Sequence, residues 1–254
     1  MLILLSPSKT LDFKSASTTE LNSQPLFPKE VAELVRHLKK LSASQLEELM
    51  KINTKLAWLN MERYAFWKPN FILDNSHPAI FSFKGEVYHG LDVTTLPAAD
   101  VEFSQHHLRI LSGLYGVIRP LDLIQPYRLE MGSGFRFGKY DNLYHYWRQK
   151  ITKQIGLDLK ESGSKLLFNL ASLEYFSVLD AKKLKADIVT PQFLESKEDS
   201  YKMITIYAKK ARGLMTRYIL EYRIDCEEDL QGFDSEGYCY NRRLSKPGSP
   251  VFTR

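Results

Sequence analysis

The chain has 254 residues, 44% of them hydrophobic and 26% charged, which is enough apolar mass for a sizeable core and excludes a disordered or fibrous chain. A net charge of +5 favours anionic partners such as nucleic acid, nucleotides or acidic lipid without choosing among them. The N-terminus MLILLSPSKT has no basic residue before its short apolar run, and no run reaches bilayer length, so the expectation is a cytoplasmic protein with no membrane partner.

Residues 2–5 read as an apolar strand that runs into the loop Ser6-Pro7-Ser8-Lys9-Thr10. Val31, Leu34, Val35, Leu38 and Leu41 fall on one helical face, with Lys and Arg opposite. Ser44 with Glu47 predicts a capping box for a second helix, and a third helix covers 53–67. Phe81, Phe83, Val87 and Tyr88 bracket Lys84-Gly85-Glu86 as a hairpin tip or strand, loop and strand. Residues 101–111 read as a helix capped by Asp100, followed by the tight turn Gly113-Leu114-Tyr115-Gly116 and a short helix opened by Pro120. A helix from about 141 ends at Gly156, with Leu143, Tyr146, Trp147, Ile151 and Ile155 on its buried side. Residues 166–170 form a buried strand, Ser172 starts a helix with Glu174 in its first turn, and strands at 187–194 and 202–207 complete the sheet. A long helix over 208–222 returns, and the C-terminal end reads as loops and short edge strands. Neither a repeat nor a low-complexity linker interrupts this order. The reading is therefore one domain over 1–254 with an α+β (mixed α/β) fold, a central mixed sheet surrounded by helices.

Three constellations carry the functional reading. The first is the helix, glycine hairpin and second helix around 113–120, an order that presents amides and a helix N-terminus to a nucleic-acid phosphate; a plain core corner fits the spacing equally well. The second is the helix at 208–222, whose Lys209, Lys210, Arg212 and Arg217 face away from its apolar side and crowd its N-terminal end. Helix stability alone favours cations at the other end, so this placement points to anion binding, beside the plainer reading of a solvated basic face. The third gathers at strand ends, where ligands collect in α/β folds: Ser6, Ser8, Lys9 and Thr10 after the first strand, and Asn169, Ser172, Glu174 and Tyr175 after the strand at 166. With Lys84, Arg128 and Glu130 these polar groups can build a pocket for a small anionic ligand, with Ser172, Glu174 and Lys9 as candidate catalytic residues. Acids among the cations, Glu130, Glu174 and Glu236, suit catalysis better than a phosphate backbone. No Walker loop or Rossmann fingerprint occurs, adjacent His106 and His107 cannot easily share a metal, and neither cofactor nor metal is expected. Cys226 and Cys239 read as free thiols, with a redox-sensing pair as the alternative.

Six separated segments, SPSKTLDF, FKGEVYHGL, LSGLYGVIRPLDLIQPYRLEMG, FNLASLEYF, YAKKARGLMTRYI and FDSEGYCY, resemble the YaaA peroxide-stress family of bacteria, in order and over essentially the whole chain. The resemblance implies a cytoplasmic protein that protects against hydrogen peroxide by limiting iron-driven damage. It implies a fold peculiar to the family, a helix-hairpin-helix element, and a basic cleft that binds DNA without strong sequence preference. By motif, Gly113, Gly116 and Arg119 belong to the hairpin, and Lys9, Lys84, Arg128, Lys209, Lys210 and Arg212 are the candidates for the cleft. The rival reading is an enzyme acting on a nucleotide, nucleobase or other small anion in the same cleft.

Overall fold

In the computed structural model, which describes residues 1–14, 17–198 and 200–254, β1 (Leu2–Leu5) is buried along its whole length. A strand apolar on both faces belongs inside a covered sheet, and β1 lies in the middle of one. Next come β2 (Thr10–Leu11), α1 (Pro28–Leu38), α2 (Ala43–Met50) and α3 (Thr54–Phe66). α1 buries Val31, Leu34, Val35 and Leu38, the face read from the sequence. α2 is capped by Ser42 with Gln45, not by Ser44 with Glu47: the Ser42 hydroxyl accepts from Gln45 N at 3.2 Å, and the Gln45 side chain accepts from Ser42 N at 2.8 Å. Both pairs fit the pattern, and the earlier one lets Ala43, Leu46 and Met50 share the buried face.

The stretch around Lys84 is more compact than two strands. β3 (His77–Pro78), α4 (Ala79–Ser82) and β4 (Phe83–Lys84) lead to Gly85, whose φ of +123° turns the chain into α5 (Glu86–Leu91). β4 pairs with β2, which sets Thr10 opposite Lys84.

The helix-hairpin-helix reading at 101–120 is corrected. α6 (Ala98–His107) has Pro97 at its N-cap and stops at His107; β5 (Leu108–Ser112), β6 (Gly116–Ile118) and β7 (Leu123–Ile124) follow. The glycine turn joins two antiparallel strands, and Pro120 opens no helix. Apolar continuity cannot separate a buried helix from a buried strand, and here pairing with β1 decides for the strand.

α7 (Leu143–Glu161) runs through Gly156 where the sequence suggested a stop. β8 (Leu166–Asn169), α8 (Leu173–Phe176), α9 (Ala181–Leu184) and β9 (Asp187–Val189) come next. The strand expected over 187–194 is split at Pro191, which has no N–H for a ladder; β10 (Gln192–Lys197) belongs to a different sheet. β11 (Ser200–Lys202) folds back on β10, and α10 (Thr205–Tyr222) begins within the stretch read as strand 202–207. β12 (Cys239–Tyr240) and β13 (Val251–Thr253) finish the second sheet.

The main sheet has the order β6-β5-β1-β8-β9, with β6 antiparallel to a parallel remainder; the second runs β11-β10-β13-β12. The mixed α/β class agrees with the sequence reading, although the strands divide between sheets. From β1 the chain crosses to β5 on one side, whereas β8 leads on to β9 on the other, so a crevice opens between the carboxyl ends of β1 and β8. α5 and α10 cross closely enough that a Cβ on Gly213 would sit 1.8 Å from Val87 O, and one on Gly90 2.2 Å from Lys210 O. Among the described residues no helix is long and apolar enough to cross a membrane.

Candidate functional site

Ser6 and Ser172 meet across that crevice. Ser172 N donates to Ser6 Oγ at 2.8 Å, and Ser6 Oγ donates to Ser172 Oγ at 3.3 Å. Ser172 immediately precedes α8, yet its side chain caps no helical amide, so the hydroxyl serves the crevice and not the helix. Tyr88, on α5, donates its hydroxyl to Ser6 O at 3.0 Å, and Asn169 Oδ1 accepts from Ala171 N at 3.2 Å to hold the turn after β8.

Charge in this region centres on Glu130. Its Oε1 lies 3.1 Å from Lys9 Nζ and 3.0 Å from Arg128 Nη2. Its Oε2 is buried without a hydrogen-bond partner among the described residues, a costly state for a carboxylate oxygen. Buried tyrosines surround it. Burial, reinforced by the Glu130 charge, pushes the phenols of Tyr64, Tyr127 and Tyr175 far above their usual range; burial does the same to Tyr88, beside Tyr127 and Tyr175. Tyr64 donates to Arg128 O, and Tyr127 shares a 2.7 Å hydrogen bond with Ser112 Oγ at the end of β5. Gly132 N donates to Glu174 Oε1 at 2.9 Å, which fixes the exposed Glu174 to the loop that carries Glu130. Sequence reasoning named Tyr175 at the strand end but missed Tyr64, Tyr88 and Tyr127 as site residues, because an aromatic in an apolar run reads as core, which each of them also is.

The remaining candidates scatter. Gly113 and Gly116 are buried: Trp147 Nε1 donates to Gly113 O at 2.9 Å, and a Cβ on Gly116, whose φ is +73°, would sit 2.7 Å from the Trp147 ring. The turn therefore packs on Trp147 and presents no amides to a phosphate. Arg119 is a clamp, with Nη2 2.9 Å from the fully buried Asp122 and a donated bond to Gln24 O at 3.0 Å. Burial pushes the Asp122 carboxyl up, and Arg119 pulls it partly back. Lys84 lies 3.8 Å from Asp12, and Lys210 is paired with Glu236. Because α10 starts at Thr205, Lys209 and its neighbours stand beyond the first turn, where the helix dipole has faded, and the N-terminal argument for them lapses. Arg212 differs from all of these. It is half-buried, has neither a carboxylate nor a hydrogen-bond partner for its guanidinium among the described residues, and burial lowers its pKa with no acid to offset the effect.

Cys226 and Cys239 are free thiols. Cys226 stands with Asp225 and Asp229, their ligand-type atoms all within 4.8 Å of one another, a grouping that local sequence spacing had not flagged.

Fold and site together define a mixed α/β protein with a polar cluster at the switch point of a largely parallel sheet, where Glu130 matches Lys9 and Arg128, while Arg212 on α10 has no carboxylate partner among the described residues. A family model described as peroxide stress protein YaaA matches residues 1–244. A UPF0246 protein from Hahella chejuensis is 47% identical over 254 residues, covering 100% of this chain and 99% of its own. UPF0246 proteins from two strains of Aliivibrio fischeri are each 46% identical over 254 residues, covering 100% of this chain and 98% of theirs. The chain belongs to the peroxide stress protein YaaA family.

Proposed function

We propose that this protein protects cells against hydrogen peroxide and that it does so by binding DNA without strong sequence preference, limiting iron-driven damage. Family membership supports the first part. The observation that carries the second is Arg212: a desolvated guanidinium without a carboxylate is costly unless an anion visits it, and a phosphate is the fitting anion for a planar donor fork. Exposed Lys209 on the same helix and a net charge of +5 add a sequence-independent attraction for a polyanion. Lys9, Lys84, Arg128 and Lys210 contribute less, because each already has a carboxylate within reach. The test is survival in a peroxide titration, with chelatable iron measured in parallel. Cells lacking the protein should die faster and carry more such iron, and Arg212→Gln should fail to restore them. Equal survival and equal iron with and without the protein would overturn the assignment.

The buried, unpartnered Glu130 Oε2 favours a second reading, an enzyme acting on a nucleotide, nucleobase or other small anion at the crevice. Lys9 and Arg128 would hold an anionic group there, Glu130 would accept a proton or donor from the ligand, and the Ser6 and Ser172 hydroxyls would orient it. On this reading Glu174→Gln or Ser172→Ala abolishes protection while DNA affinity and thermal stability stay near the parent values. Protection that survives both changes removes the enzyme.

A further inference from the structure

The groove between α7 and α9 stands apart from the crevice residues and has a volume of about 380 Å3. Its walls hold Arg148, Lys153 and Lys183 against a single carboxylate, Asp180, and that carboxylate lies 3.4 Å from Lys183. Arg148 donates to Ser177 O at 3.0 Å but pairs with no acid, and Lys153 is exposed without an ion pair among the described residues. Among the described residues the groove therefore carries a surplus of positive charge, with Asp180 its one lining carboxylate.

A second observation is independent of charge. Gly156 lies inside α7 and lines this groove. Its φ is not positive, and a Cβ there would meet nothing within 4 Å, so neither backbone strain nor packing requires glycine. Glycine inside a helix costs stability relative to almost any other residue except proline. A position that bears this cost without a structural return, on the wall of a cationic groove, keeps the backbone bare for something that approaches it.

We propose that the α7/α9 groove is a phosphate-binding site, with Arg148 and Lys153 as the donors and Gly156 as the open wall that admits the ligand. The phosphate comes either from a free nucleotide, which a groove of this size accommodates, or from the DNA backbone; the site does not depend on the reading of Arg212. Calorimetric titration of the full chain with inorganic phosphate, with AMP and with a short duplex distinguishes the sources. Lys153→Glu should weaken whichever ligand binds the groove by on the order of tenfold or more, through loss of a charge-assisted bond. Lys51→Glu, the same charge change just after α2, should leave that affinity within about twofold when read at high salt, where distant charges are screened. Gly156→Gln should weaken the same ligand while raising Tm by about 1–2 °C, since glutamine is the better helix former. Loss of AMP or phosphate binding assigns the groove to a small ligand, and loss confined to the duplex assigns it to DNA. If no ligand responds to Lys153→Glu beyond its response to Lys51→Glu, or if Gly156→Gln leaves every affinity unchanged, the proposal is wrong.

Discussion

Removing Asp158 should be among the most damaging single changes in this protein. Arg109 Nε lies 2.6 Å from Asp158 Oδ2, and the two side chains are only 6% and 5% exposed. Arg109 Nη1 keeps its bonds to Gln105 O and Leu108 O in Asp158→Ala, but Nε is orphaned and Gln154 Nε2 loses its 2.8 Å acceptor. Stranding one member of a buried pair costs about 3–5 kcal/mol. Both residues line a cavity of about 520 Å3, through which water can reach the stranded guanidinium, so the lower end of that range applies. At about 2–4 °C per kcal/mol for a chain of this size, Tm should fall by roughly 6–12 °C. Urea unfolding of Asp158→Ala, Arg109→Met and the pair Arg109→Met with Asp158→Leu closes the comparison. The double replacement should recover most of the loss, because no charge is left unpaired. An Asp158→Ala protein within about 1 kcal/mol of the parent, the median worth of a surface ion pair, would refute the treatment of this pair as buried.

Gly116→Ala should destabilise without touching ligand binding directly, because its φ of +73° disfavours any side chain and the new methyl would meet Trp147 at 2.7 Å; a Tm equal to the parent's would show that the turn relaxes freely. Gly213→Ala should do more, since its Cβ would lie 1.8 Å from Val87 O, and loss of the cooperative unfolding transition by circular dichroism is the readout. Burial lowers the imidazole pKa of His107, whose ring lies 3.0 Å from Met1 O. Between that lowered value and about 6.5 the unfolded chain binds more protons than the folded one, so stability should rise with pH across this window and level off above it. His107→Gln should flatten the rise, and an unchanged pH profile would assign it to another group.

Much of the framework was legible in the sequence. The uniform apolarity of Leu2–Leu5 marked a central strand, the periodicity of α1 marked its buried face, and the polar loops after β1 and β8 were placed at strand ends, where Ser6 and Ser172 meet. Errors arose where local pattern is degenerate and tertiary pairing decides. Leu108–Ser112 is apolar enough for helix or strand, and only its register against β1 settles which. The candidate cations were identifiable as residues but their partners were not, because Lys9 with Glu130 and Lys210 with Glu236 are joined across long stretches of chain. Arg212 was named among several cations on one helix; what singles it out is partial burial with no acid partner among the described residues, which no spacing rule encodes.

That distinction makes the most direct test a pair of salt titrations on the same duplex. Each phosphate contact releases condensed counterions, so the slope of log affinity against log salt should shrink by about 0.9 when Arg212→Gln removes one contact, equally on unrelated sequences. Lys210→Gln, whose charge is already matched by Glu236, should leave the slope nearly unchanged. A slope that responds to Lys210→Gln and not to Arg212→Gln, or an affinity indifferent to salt in the parent protein, would contradict the account.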